Sequence, residues 1–172
     1  MARPALPLGA ILLLALALGT APAKASEADY QKRFSASWSG GGQVLRDADR
    51  DPKPAKVNCR MDGSSGDDAI VVSGTCRAYL LFARPFEARV RFNPASGRYT
   101  GIYSGARSGP AQLSGMRRGD TLDLTITWAK PVNGDRTARL SIRNDGRRLA
   151  VRLTDEARGR MVTTTDLVFA QK

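Results

Sequence analysis

Apolar and polar residues alternate with a period of two along much of the chain, most clearly between residues 119 and 154. In this stretch three runs, at 122–128, 138–142 and 149–153, carry apolar residues at every second position. Because successive side chains of a β-strand point to opposite faces, each run predicts a half-buried strand with its apolar side inward. Asn- and Gly-containing turns separate the runs, so this stretch predicts an antiparallel meander.

Shorter apolar runs recur along the rest of the chain at intervals of roughly 12 residues, a spacing typical of all-β domains. They predict further strands near 34–38, 55–61, 69–78, 86–92, 98–103, 111–116 and 161–169. Short links between about ten short strands favour an all-β fold, a small antiparallel up-and-down β-barrel, with a β-sandwich as the alternative. Closing the sheet would also remove exposed strand edges.

Four segments interrupt this rhythm. Residues 26–32 are polar and predict a loose or short helical lead-in, and residues 46–54 predict a charged loop bounded by proline. The three glycines at 40–42 predict a β-bulge or a sharp bend. The apolar run 79–83 fits either a strand extension or a short buried helical turn.

Residues 1–25 have the pattern of a cleaved signal peptide. Arg3 forms a short positive region, residues 6–18 are apolar, and Ala23-Lys24-Ala25 fits a small-x-small cleavage site. An apolar stretch this short, ending in a cleavage site, argues against a membrane-spanning helix. No cysteine lies near the cleavage point, so no lipid anchor is predicted. We expect a signal peptide over this range and a single all-β domain over 26–172, in the periplasm or secreted.

The two cysteines, Cys59 and Cys76, agree with export to an oxidising compartment. The alternation places them on the apolar faces of two neighbouring predicted strands, which a flexible polar turn over 63–68 connects. A disulfide bond between them is therefore predicted. A redox-active pair is disfavoured, because the chain has no C-x-x-C spacing and no histidine to lower a thiol pKa.

The chain is strongly basic, with a formal net charge of +11. Loss of Arg3 and Lys24 with the signal peptide would lower this charge by two. Outside the cytoplasm a basic protein meets anionic lipid, lipopolysaccharide and acidic glycans, and we expect a partner among these. Nucleic acid is an unlikely partner because of the location. Solubility alone is the other interpretation of the charge.

The sequence contains no histidine. This removes the commonest general base and metal ligand, and with it Ser-His-Asp, Cys-His and zinc sites. Acidic pairs occur at 67–68, at 155–156, and as Asp120 with Asp123. Adjacent strand residues face opposite ways and the first pair lies in a predicted turn, so none of them resembles an acid–base dyad. We therefore predict no enzymatic activity and no cofactor.

The aspartates at positions 47, 49 and 51 have the spacing that opens a calcium-binding loop. The pattern then fails, because Pro52 stands where the sharp-turn glycine belongs and Asn58 where the bidentate glutamate belongs. Neighbouring basic residues also cancel the local negative charge. No metal site is predicted.

Four aromatic residues on predicted strands are candidates for lining a ligand pocket, with simple core packing as the alternative. They are Trp38, Tyr99, Tyr103 and Trp128. A filled barrel would favour an inhibitor or a scaffold, whereas an open apolar calyx would favour a ligand carrier.

Arginines mark the polar face of the last two alternating runs. Pairing Ile142 with Leu149 buries every apolar residue of this hairpin on one side, and a one-residue slip would invert the faces. That register predicts two directly opposed arginine pairs on the outer surface, Arg143 with Arg148 and Arg139 with Arg152. Like charges directly opposite are unfavourable. The nearby Asp123, splaying of the side chains into water, or an external anion bridging the guanidinium groups would offset this cost.

Three segments share the strand rhythm of calycin-type barrels. Residues 97–103, 113–115 and 125–128 resemble strands of the lipocalin and avidin group. The resemblance implies a small antiparallel barrel. It implies no ligand, because Trp38 does not stand in the lipocalin G-x-W pattern and the avidin biotin-pocket pattern is absent.

These patterns together predict a non-catalytic periplasmic or secreted barrel. We expect it to bind an anionic or amphipathic component of the cell envelope, lipid or glycan, or to support the envelope. A small periplasmic protease inhibitor or another protein-interaction module, with a protein partner, is the alternative.

Overall fold

Ten antiparallel strands form one closed sheet in the computed structural model, which describes residues 26–48, 51–79 and 82–172. The signal peptide predicted over 1–25 lies outside the described residues. A short helix, α1 (Glu27–Lys32), precedes the strands. The strands are β1 (Ser37–Asp47), β2 (Asp51–Gly66), β3 (Ala69–Ala78), β4 (Phe82–Asn93), β5 (Arg98–Ser104), β6 (Ala111–Arg118), β7 (Thr121–Val132), β8 (Asp135–Asn144), β9 (Arg148–Ala157) and β10 (Arg160–Gln171).

Each strand pairs with its neighbours in the chain, and β1 pairs with β10 to close the ring. The sheet therefore has no free edge. The predicted up-and-down barrel is confirmed, and the sandwich alternative does not apply. Along β7, the apolar residues that alternate with polar ones are all buried, namely Leu122, Leu124, Ile126 and Trp128.

Helix α1 and the residues after it cover one end of the barrel. Tyr30 and Phe34 are buried there, with their ring centroids 5.5 Å apart in an edge-to-face arrangement. Gln31 is also buried and donates to the Tyr99 hydroxyl at 3.3 Å. The predicted lead-in is thus a short helix that closes this end. Among the described residues, no helix is long and apolar enough to cross a membrane.

Two ion pairs fasten the helix segment to the hairpin loops beneath it. Glu27 pairs with Arg117 on β6 at 2.9 Å, and Arg33 pairs with Asp120 before β7 at 2.6 Å. Arg33 also donates to the carbonyl oxygen of Asn144 at 3.0 Å. These side chains are only partly exposed, so the contacts are screened less than surface pairs and hold the cover in place.

Two predicted loops are shorter than the sequence suggested. The segment 63–68 is not a six-residue turn, because β2 continues to Gly66 and only Asp67 and Asp68 form the turn. Both aspartates have positive φ, at 49° and 58°. Two residues with positive φ match the right-handed twist of the flanking strands, and aspartate tolerates this conformation.

The prediction of a loop over 46–54 is also wrong for the second half of this range, since β2 begins at Asp51. Pro52 and Pro54 lie within the strand. Prolines fit there because this part of β2 pairs only with β1, and pairing with β3 begins at Val57. Asp49, the middle residue of the calcium-like spacing, lies outside the described residues.

The three glycines of β1 do not form the predicted bulge. They lie in a regularly paired part of the strand, and its register shift comes later, after Leu45. A Cβ at Gly40 would lie 2.0 Å from the carbonyl oxygen of Val168, and one at Gly42 would lie 2.0 Å from that of Asp166. A Cβ at Gly41 would lie 2.2 Å from the carbonyl oxygen of Val57 on β2, so close approach of both neighbouring strands explains the glycines.

The ends of the apolar run 79–83 are exposed. Ala78 and Phe82 pair at the ends of β3 and β4, in keeping with a strand extension. Tyr79 is 70% exposed and Phe82 is 65% exposed, so the buried helical turn is wrong for these residues. Leu80 and Leu81 lie outside the described residues.

Candidate functional site

The end of the barrel away from helix α1 opens into a cavity of ≈ 440 Å³. Phe34, beneath the helical cover, lies at its floor, and residues around the β3–β4 connection lie at its mouth. The wall is almost entirely apolar and includes Val57, Phe86, Ile126, Leu140 and Val151. The volume falls within the ~300–1,000 Å³ typical of small-molecule sites.

Burial along the strands shows where the packed core ends and the cavity begins. Leu122 and Leu124 are buried in the core, at 1% and 2% exposure. Val72, Leu140 and Val151 also face inward, yet they are only half-buried because they line the cavity. The interior is therefore an open apolar calyx and not a filled barrel.

Polar groups among the lining residues gather along one arc of the mouth. Arg84 continues the inward-facing series of β4, and Tyr103 lies at the end of the neighbouring β5. Arg107 comes from the loop between β5 and β6, and Trp128 from β7. Thr165 on β10 adds a hydroxyl on the other side. All members of the arc are hydrogen-bond donors, and two of them are cations.

Tyr103 and Trp128 pack edge to face, with ring centroids 6.5 Å apart. Burial raises the pKa of Tyr103, and the nearby Arg84 acts in the opposite direction. The phenol is therefore neutral at physiological pH and keeps its proton for donation. The indole Nε1 of Trp128 is buried and has no hydrogen-bond partner in the described part of the chain. An unsatisfied buried donor costs about 1–3 kcal/mol, so it favours any ligand with an acceptor oxygen.

The other two predicted pocket residues are not among those that line this cavity. Trp38 and Tyr99 are buried core residues near helix α1. The Trp38 indole donates to the carbonyl oxygen of Phe34 at 3.3 Å, and the Tyr99 hydroxyl donates to Glu27 at 2.5 Å. Both side chains thus hydrogen-bond to the segment that covers this end of the barrel.

The predicted disulfide between Cys59 and Cys76 is confirmed. The two cysteines are directly opposite on β2 and β3, with Cα atoms 4.0 Å apart. Cys76 lines the cavity and lies opposite Arg84 on β4. The bond thus ties together two strands of the wall beside the arginine of the mouth.

The predicted register of the arginine-bearing hairpin is wrong by two residues. Ile142 pairs with Val151 and not with Leu149. The shift keeps every side chain on its predicted face, but it removes the opposed arginine pairs. Arg139 now lies opposite Thr154, Arg143 opposite Ala150, and Arg152 opposite Ser141. Small partners avoid the like-charge contacts of the predicted register.

The four outer arginines, Arg139, Arg143, Arg148 and Arg152, are nevertheless exposed on the β8–β9 wall. Arg152 pairs with Asp166 on β10 at 2.9 Å. Asp123 lies opposite Ser141 and takes part in none of the ion pairs among the described residues. The observed register thus removes the directly opposed like charges for which an external anion was invoked.

The acidic pair at 155–156 splits between the two faces as expected. Asp155 is buried and accepts a hydrogen bond from the Asn133 side chain at 2.9 Å, whereas Glu156 is exposed. Within the described residues, no cluster of three acidic or cysteine side chains is arranged to hold a metal ion.

Sequence reasoning missed both cations of the mouth. Arg84 carried a signal, because the alternation of Phe86, Ala88 and Val90 extends backwards through Pro85 and places Arg84 on the inner face. Arg107 lies in a glycine-rich loop, where no periodicity assigns a direction to the side chain.

Comparison with known proteins supports the fold alone. The structure is similar to that of Rv2717c from M. tuberculosis, with a TM-score of 0.66 and 19% sequence identity. The match covers 86% of this chain and 98% of that one. No protein-family model matches the sequence, and no curated protein matches it.

Proposed function

We propose that the protein is a non-catalytic carrier of an anionic amphiphile. The apolar part of the ligand lies in the barrel, and its anionic head lies at the mouth near Arg84 and Arg107. The observation that carries this proposal is the open apolar cavity of ≈ 440 Å³ with two arginines at its mouth. Neither arginine takes part in an ion pair with the residues described.

The apolar wall favours a lipid-like ligand over a glycan. Each buried methylene contributes about 0.8 kcal/mol, whereas a buried sugar hydroxyl without a partner costs free energy. The donors at the mouth suit a carboxylate or phosphate, and the indole of Trp128 suits a further acceptor oxygen. In this proposal the barrel is calycin-like and works in the periplasm or outside the cell, where its disulfide would be stable.

The proposal is tested with matched ligands. We expect the protein to bind dodecanoate and dodecyl phosphate more tightly than dodecanol, measured by calorimetry. Affinity within the carboxylate series should rise by about fourfold per added methylene until the cavity is filled. The double change Arg84→Gln and Arg107→Gln should lower dodecanoate affinity by roughly tenfold, since partly exposed charges contribute modestly, and should leave dodecanol binding unchanged.

The outer arginine wall supplies a matched control. Arg139→Gln with Arg148→Gln removes the same charge from β8 and β9, which lie on the opposite side of the ring from β3 and β4. This variant should bind dodecanoate like the unmodified protein. If it loses affinity while the mouth variant does not, the anion binds on the outer wall and the calyx proposal is wrong.

A second test uses the two tryptophans of the chain. Nitrogen-15 NMR should show one indole signal each for Trp38 and Trp128. The Trp128 signal should shift when dodecanoate binds, because its N–H lies at the cavity without a partner. The Trp38 signal should stay in place, because its N–H is bonded to Phe34. Equal shifts of both signals, or none, would count against an internal ligand.

A further inference from the structure

The rim of the cavity carries the two most exposed large apolar side chains among the described residues. They are Tyr79 and Phe82, at the tip of the β3–β4 hairpin. The remaining exposed large apolar residues are scattered singly over the barrel, as is normal for a protein surface. Two aromatic rings at one tip form a local projection, and Phe82 lines the cavity mouth as well.

Backbone conformation at this tip is unusual. Tyr79 has φ of 55°, in the left-handed region that bulky residues rarely adopt. A tip selected only for turn formation would favour glycine or asparagine at such a position. Turn formation alone therefore does not account for an aromatic residue at this position.

The charged side chains on the β3–β5 side of the rim are arginines, whereas Asp135 and Glu156 lie on the opposite side, at the β7–β8 and β9–β10 hairpins. Arg77 lies on the outer face of this hairpin, opposite Ala83, while Arg84 and Arg107 lie at the mouth. All three side chains are exposed, and none of them belongs to an ion pair within the described residues. Exposed aromatic side chains and nearby arginines without ion-pair partners are the two features that bind proteins to the interface of anionic bilayers.

We propose that the mouth end docks on anionic lipid bilayers. Tyr79 and Phe82 insert at headgroup depth, and Arg77, Arg84 and Arg107 contact lipid phosphates. Each arginine near such a surface strengthens binding by roughly fivefold. The contact is peripheral, and it brings the cavity mouth to the membrane, from which an amphiphile could enter without crossing water. The docking itself rests on the rim and does not depend on the carrier function.

The test measures co-sedimentation of the protein with vesicles. We expect binding to vesicles of phosphatidylcholine with phosphatidylglycerol, little binding to phosphatidylcholine alone, and weakening as salt is raised. The informative variant is Tyr79→Asn with Arg77→Gln, because neither residue lines the cavity and asparagine tolerates the positive φ. It should lose about tenfold or more in vesicle affinity and keep its dodecanoate affinity in solution.

The matched control is Met116→Ser with Arg118→Gln. It also removes one exposed apolar side chain and one exposed arginine, but from β6 near the helix-covered end. This control should bind vesicles like the unmodified protein. Equal binding to both vesicle types, or full vesicle binding by the tip variant, would overturn the docking proposal. If the unmodified protein docks on the vesicles but does not bind dodecanoate, the carrier function alone is overturned.

Discussion

Replacing Ala88 with phenylalanine should abolish ligand binding without unfolding the barrel. Ala88 faces inward on β4, lines the cavity, and lies opposite Val72 and Tyr103. A phenyl ring at this position projects into empty volume, so it avoids the ~1–3 kcal/mol that overpacking costs in a filled core. It displaces several methylenes of a bound chain, each contributing about 0.8 kcal/mol. We therefore expect dodecanoate affinity to fall by about 100-fold or more.

The control for this change is Ala150→Phe. Ala150 lies on the outer wall of β9, opposite Arg143, so the same added ring stays outside the barrel. Calorimetric titration should find its dodecanoate affinity unchanged, and chemical denaturation should find both variants within about 1 kcal/mol of the unmodified protein. Should Ala88→Phe fold poorly, Val151→Phe fills the same cavity from the opposite wall. Full affinity in a folded cavity-filling variant would place the ligand outside the calyx.

The strand order was predictable because the alternating pattern is strong and the links are short. The register of β8 and β9 was not, because alternation fixes only which face a side chain takes, and a two-residue slip keeps the faces. Asn144 was expected in the turn between the two runs. It is instead a buried end of β8, opposite Leu149, and its carbonyl oxygen accepts from Arg33.

The cavity was only partly predictable. The number of strands bears on it, since the barrel diameter grows with strand number and about eight strands already leave an interior that side chains fill or that holds one small ligand. Ten strands were expected, and the inward positions include small residues such as Ala78 and Ala88. The placement of Tyr99 depends on its hydrogen bonds with Gln31 and Glu27 of helix α1, which lie 68 and 72 residues away in the sequence. Long-range contacts of this kind leave no local pattern.

Removing the disulfide should lower the free energy of unfolding by about 3 kcal/mol, with a fall in Tm of roughly 10 °C for a domain of this size. The bond closes a loop across a sequence separation of 17 residues. In the chain-entropy model it acts mainly by restricting the unfolded chain. Its native geometry is held independently, because β3 is paired along its length with both β2 and β4. Stability should therefore fall while the mouth keeps its shape.

Thermal and denaturant unfolding of Cys59→Ala with Cys76→Ala tests this expectation, beside the unmodified protein with and without reductant. Reduction keeps both sulfur atoms, so the difference between the reduced protein and the double variant reports the packing of the two sulfur atoms, of which that of Cys59 is buried. Reductant should leave the double variant unchanged. Its dodecanoate affinity should stay within about threefold, since Arg84 remains paired to β3 by the backbone ladder. A much larger loss of affinity would show that the bond also shapes the mouth and that the entropic account is incomplete.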